Sequence, residues 1–98
     1  MSSCAAPDQS LPAAPPAAGA TVIEGTISRS GAPVGGAYVR LHDATGEFTA
    51  EVVSSPEGSF RFYAAPGAWE LRALSPQGTT RGELIASIGL NRAELVLV

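Results

Sequence analysis

Ser55-Pro56-Glu57-Gly58-Ser59-Phe60-Arg61-Phe62-Tyr63 is a turn signal running straight into an alternation. Ser at the first turn position can hydrogen-bond the backbone two residues on, and Pro at the second presets φ for a type I turn. Gly at the fourth accepts the left-handed conformation from which a strand restarts. Phe60 and Phe62 then fall on one side of the chain while Arg61 and Tyr63 fall on the other. A β-strand places successive side chains on opposite faces, so this spacing predicts a strand with one dry side and one wet side.

The same grammar recurs outward in both directions. Further four-residue turn signals ending in glycine stand at Ser28–Gly31, Asp43–Gly46 and Ser75–Gly78, and Ala65-Pro66-Gly67 adds a fifth tight connection. Between them Ala37, Val39 and Leu41 alternate with Tyr38, Arg40 and His42. Trp69, Leu71 and Ala73 alternate with Glu70, Arg72 and Leu74, and Ile23, Gly25 and Ile27 open the domain in the same way. Weaker alternation predicts strands over Glu47–Ser54 and Gly82–Ile88. The apolar run Leu95–Val98 reads as a strand able to sit centrally between neighbours. No segment carries a helical period; 81–91 comes closest, and Gly82 and Gly89 count against it. About seven short strands with turns every 8–12 residues predict an all-β antiparallel Greek-key sandwich of the immunoglobulin-like kind. Phe60, Phe62, Trp69, Val39, Leu41 and Leu71 are its expected core.

The chain has 98 residues, enough for one domain. Met1–Ala20 is mostly Ala, Pro, Ser and Gly, with Leu11 the sole large aliphatic side chain after Met1. That stretch buries too little apolar surface to offset the entropy of ordering it, so it reads as a disordered tail of tether-like composition. Residues 21–98 then form the sandwich domain.

Composition narrows function by exclusion. The formal charge is −3 and the six cations are scattered arginines, which argues against nucleic acid as a partner. There is no Lys, hence no Schiff-base or amine nucleophile. A single Cys cannot close an internal disulfide, and with no signal-peptide pattern or ~18-residue apolar run the expected compartment is the cytoplasm, away from the membrane. One His and one Cys fall short of a zinc site, and no serine has a placed base. The glycines of 31–36 lack the Lys and helix that a phosphate loop requires. The expectation is therefore a protein that is not an enzyme, with no catalytic residue, metal or cofactor.

Two features are candidates for function. Cys4 is the sole thiol, accessible but without a cationic side chain near it in sequence to lower its pKa; it is either a reactive group or a bystander. The outward row Tyr38, Arg40 and His42 continues into Arg61, Tyr63 and Arg72 if those strands share a sheet. Tyr and Arg are favoured at interfaces, so this row is a candidate docking face; alternating charge on an exposed face also serves plain solubility.

Gly31-Ala32-Pro33-Val34-Gly35-Gly36-Ala37-Tyr38-Val39-Arg40-Leu41 resembles the opening of carboxypeptidase regulatory-like, transthyretin-like modules. Gly58–Phe62 and Pro66–Leu71 carry that pattern onward. More narrowly, Gly46–Val53 and Phe60–Gly67 resemble a small actinobacterial family associated with sulphur metabolism, commonly encoded beside thiosulfate sulfurtransferases (rhodaneses). That family often carries a cysteine near its start followed closely by Ala-Pro. Cys4-Ala5-Ala6-Pro7 is similar, with two extra serines before the cysteine and one extra Ala before the proline. The resemblance implies a sandwich fold and an association with sulphur, and it supplies no catalytic residue. Three expectations follow: a non-catalytic accessory protein that docks a thiosulfate sulfurtransferase or another sulphur-pathway protein; a sulphur carrier that accepts a persulfide on Cys4; or a passive carbohydrate- or surface-binding sandwich.

Overall fold

Alternation and turn chemistry resolve into eight strands in the computed structural model, which describes residues 19–97. They are β1 (Thr21–Arg29), β2 (Ala32–Pro33), β3 (Tyr38–His42), β4 (Phe48–Val53), β5 (Ser59–Ala64), β6 (Gly67–Ser75), β7 (Gly78–Ala86) and β8 (Gly89–Val96). The strand beyond the expected seven is β2, two residues that pair with the end of β1. The disorder expected over Met1–Ala20 falls, as far as residue 18, outside the described residues.

Three of the four-residue turns join antiparallel neighbours of one sheet, the Ser55–Gly58 turn crosses between the sheets, and each closing glycine has positive φ. The bond that closes a β-turn runs from Gly46 N–H to Asp43 O at 2.9 Å and from Gly58 N–H to Ser55 O at 2.8 Å. Gly58 is doubly constrained. Its φ is +79°, and a Cβ there would lie 2.5 Å from Ile27 O. No larger residue meets both conditions.

The strands stack as two sheets. In the front sheet the order is β4-β3-β6-β7, antiparallel throughout. In the back sheet β1 is central, with β5 and β2 along one edge and β8 along the other. Its pairs are antiparallel except β1–β8, which run parallel from Thr21↔Gly89 to Ser28↔Val96. Asn91 fixes that start: its Nδ2 donates to Val22 O (3.0 Å) and Ser87 O (2.8 Å), while its Oδ1 accepts from Ser87 N–H (3.0 Å). Leu95 and Leu97 turn into the core while Val96 is exposed. This run is thus the sheet's edge rather than its centre, because a strand beside β1 alone has one face and one edge open to water.

The core between the sheets contains Ile23, Ile27, Phe60 and Phe62 from the back and Val39, Leu41, Leu71 and Ala73 from the front. The Phe60 and Phe62 rings meet edge-on with centroids 6.1 Å apart. Five of the six expected core residues are buried; Trp69 packs at the margin, half-buried, with its Nε1–H on Ala65 O at 2.8 Å. β1 approaches β8 so closely at Gly25 that a Cβ there would collide with Ala93 O. Buried Ser54 is satisfied on both sides, donating to Val34 O and accepting from Ala37 N–H, each at 2.9 Å.

Candidate functional site

Period two within a strand fixes which residues point outward, and register between strands fixes which of them are neighbours. On the front sheet β3 pairs with β6 so that Tyr38 lies beside Leu74, Arg40 beside Arg72 and His42 beside Glu70. The β6–β7 register extends these rows to Thr79, Arg81 and Glu83. Across the other edge, Val53 and Glu51 of β4 stand beside Tyr38 and Arg40. Of the residues expected in the docking row, Tyr38, Arg40 and Arg72 therefore share one outward face.

It fails for Arg61 and Tyr63. After β4 the Ser55–Gly58 turn carries the chain across the sandwich, so β5 joins the back sheet and its outward residues face the opposite way. It fails in another manner for His42. That ring is outward by register yet 7 % exposed. The β3–β4 register slips between Leu41 and His42, which sets Phe48 opposite the imidazole. The two rings meet edge-on with centroids 6.0 Å apart. His42 Nδ1 lies 3.1 Å from Gly46 O, in position to donate to it, and its Nε2 is buried without a partner. Its contacts secure the β3–β4 turn and leave the ring little surface for docking.

The front face carries like charges side by side. Arg40, Arg72 and Arg81 are in register across three strands, and Glu70 faces Glu83 in the next row. Directly opposed like charges destabilise a sheet, and here they are relieved sideways. Arg40 Nε donates to Glu51 at 2.7 Å, while Glu70 takes Arg72 at 2.8 Å and Arg81 at 3.6 Å. Tyr38 is 51 % exposed beside this lattice.

A groove of about 560 Å³ opens at one end of the front sheet. It is lined by the Asp43–Gly46 turn, by Trp69 and Glu70 of β6, and by Glu83 and Ile85 of β7. Asp43 Oδ1 accepts from the Thr45 hydroxyl at 2.6 Å and from the Thr45 and Glu47 N–H groups at 2.9 and 3.0 Å. The Thr45 hydroxyl first, then the Glu47 N–H, hold its carboxyl below the ordinary carboxylate value. Sequence reading missed this groove, since Glu70, Glu83 and Asp43 meet only through non-local register.

Among the described residues no three His, Cys, Asp or Glu side chains gather to hold a metal ion. The described residues form strands and no helix, so among them no helix is long and apolar enough to cross a membrane. Cys4 lies outside the described residues.

A search of solved structures finds the dioxygenase domain of a dioxygenase–carbohydrate-binding protein fusion from the cellulolytic bacterium Streptomyces sp. SirexAA-E. It is similar with a TM-score of 0.62 over 94 % of this chain and 88 % of that one, at 12 % identity. The likeness extends to the fold alone. Two uncharacterized proteins of Mycobacterium tuberculosis are each 54 % identical over 78 residues, covering 76 % of this chain and 78 % of theirs. An uncharacterized protein of Mycolicibacterium smegmatis is 61 % identical over 59 residues, 59 % of this chain and 66 % of that protein. The family described as proteins of unknown function, DUF1416, matches residues 4–97, and this all-β sandwich belongs to that family.

Proposed function

We propose that this protein is a non-catalytic docking module of sulphur metabolism whose front face binds a thiosulfate sulfurtransferase. The observation that carries the reading is the in-register placement of Arg40 and Arg72 beside exposed Tyr38. Tyr and Arg combine large contact area with directed hydrogen bonds, and both are enriched where binding energy concentrates. Arg40 and Arg72 are already partnered by Glu51 and Glu70. An incoming carboxylate can exchange with Glu70 on Arg72 while Glu70 keeps Arg81; exchange at Arg40 instead releases Glu51 to solvent. The sulphur association rests on the resemblance of Gly46–Val53 and Phe60–Gly67 described above.

Binding of the purified full chain to a thiosulfate sulfurtransferase, measured by titration calorimetry, tests this. The double variant Arg40→Glu/Arg72→Glu is expected to weaken binding at least about tenfold. Tyr63→Ser, on the opposite face, is expected to leave it unchanged. Absence of binding by the wild type, or equal loss in both variants, overturns the reading. Incubation with the sulfurtransferase and thiosulfate, followed by intact-mass measurement, checks the non-catalytic part. Sulphur gained by the wild type and lost in Cys4→Ser would make the chain a carrier instead.

A further inference from the structure

We propose that β7 is a homodimerisation edge, on which a second copy of this chain adds its own β7 antiparallel and extends the front sheet from four strands to eight. Among the described residues β7 is the last strand of that sheet, paired with β6 on one side and with no strand on the other. It spans nine residues, Gly78–Ala86, in unbroken register with β6. A free edge of that kind presents unpaired backbone donors and acceptors, and folded proteins usually blunt it with Pro, a bulge or inward charge. The front sheet's other edge, β4, is disturbed by the register slip opposite His42, and β2 in the back sheet carries Pro33. β7 has neither Pro nor a bulge; β5 and β8 of the back sheet lack them too, but their Arg61 and Arg92 lie beside Glu24, whereas the charges of β7 lie beside their own sign.

Charge selects the occupant. Arg81 stands beside Arg72 and Glu83 beside Glu70, so each outward charge of β7 meets its own sign within the sheet. Arg81 reaches Glu70 only at 3.6 Å, and no cation lies within ion-pair distance of Glu83 among the described residues. A second β7 set antiparallel about Gly82 reverses this. Arg81 then faces the second copy's Glu83, Glu83 faces the second copy's Arg81, and Thr79 faces the second copy's Ile85. Opposite charges meet twice in one two-fold contact, the self-complementarity that an isologous interface requires. Ile85, 82 % exposed here, gains a β-branched neighbour. Gly82 at the dyad adds no side chain between the approaching strands.

Sedimentation of the full chain over a range of concentrations tests the proposal. The expected result is a concentration-dependent mass approaching twice 9.9 kDa. Arg81→Glu and Glu83→Arg, each alone, set like charges opposite one another and are expected to weaken the dimer at least about tenfold. Circular dichroism is expected to stay native, since both side chains are exposed. An equimolar mixture of the two variants is expected to restore a dimer, because each then supplies the charge the other needs; so is the double swap Arg81→Glu/Glu83→Arg. A monomeric wild type at every concentration overturns the proposal. So does a dimer indifferent to both single variants, or a mixture that fails to rescue.

Discussion

The two outer faces of this sandwich solve the same problem in opposite ways. On the back sheet Glu24 lies between Arg61 and Arg92 in register, and the three close in one row at 3.1 and 3.8 Å. Each charge has its opposite directly across the ladder. In the next row Val22, between Tyr63 and Leu90, is wholly buried. The front sheet instead lines up Arg40, Arg72 and Arg81 and faces Glu70 with Glu83. Only Arg40–Glu51 at its β4 edge pairs straight across the ladder; the ion pairs of Glu70 run along a strand or diagonally, and the sheet's outermost glutamate has no cation within reach among the described residues. A face whose charges are paired across the sheet is stable as it stands.

That contrast can be broken or sharpened by substitution. The largest effect is expected at Gly25→Ala, where the new methyl is driven against Ala93 O and the Phe60 ring, prising β8 from β1. A loss of about 3 kcal/mol is expected in urea unfolding. Amide exchange should show protection lost on β8 before β6 and β7; uniform loss would mean that the two sheets do not differ in this respect.

Next comes a matched pair. Glu24→Gln leaves Arg61, whose side chain is only 15 % exposed and whose Nε is already unpartnered, without its counter-charge. A cost of about 1–2 kcal/mol is expected for this half-buried pair. Arg72→Gln removes one of three adjacent arginines from a more exposed site and leaves Arg81 on Glu70, so the change should stay within about 0.5 kcal/mol. Equal costs for the two variants would erase the distinction between the faces.

The smallest expected effect is at Asp43. A carboxylate whose folded pKa is depressed adds stability that is present above its unfolded value and lost as pH falls through the folded one. A carboxyl-detected NMR titration should place the Asp43 midpoint below 3.8, and Thr45→Val should raise it, because the hydroxyl bond is the largest cause. A midpoint that Thr45→Val leaves in place would contradict the turn geometry.

Much of the fold could be read from local spacing. Each closing glycine of the four turns has the positive φ its position demands, and Phe60, Phe62, Val39, Leu41 and Leu71 are buried as period two requires. The candidate site was only half legible, because it depends on register between distant segments. Arg61 and Tyr63 alternate as cleanly as Tyr38 and Arg40, and nothing local tells which layer the Ser55–Gly58 turn leads to. His42 follows the outward pattern too. Its burial comes from a slipped pairing that sets Phe48 opposite it. Leu95–Val98 reads as uniformly apolar, and an edge strand with one exposed Val cannot be told from a central one by composition.

The parallel pairing of β1 with β8 also bears on how the chain acquires its structure. Thr21 must find Gly89, and every later pair in that ladder joins segments equally far apart along the chain. Hairpins such as β6–β7 close as soon as their own residues leave the ribosome. β1 can pair early with β5, but its second edge stays bare until the last strand of the domain has been made. Contacts of such long sequence separation slow folding and lengthen the exposure of an unpaired strand. A nascent chain halted after β7 would therefore present Ile23 and Ile27 without Leu95 and Leu97 to close the core over them, so the domain's completion is timed by the end of its synthesis.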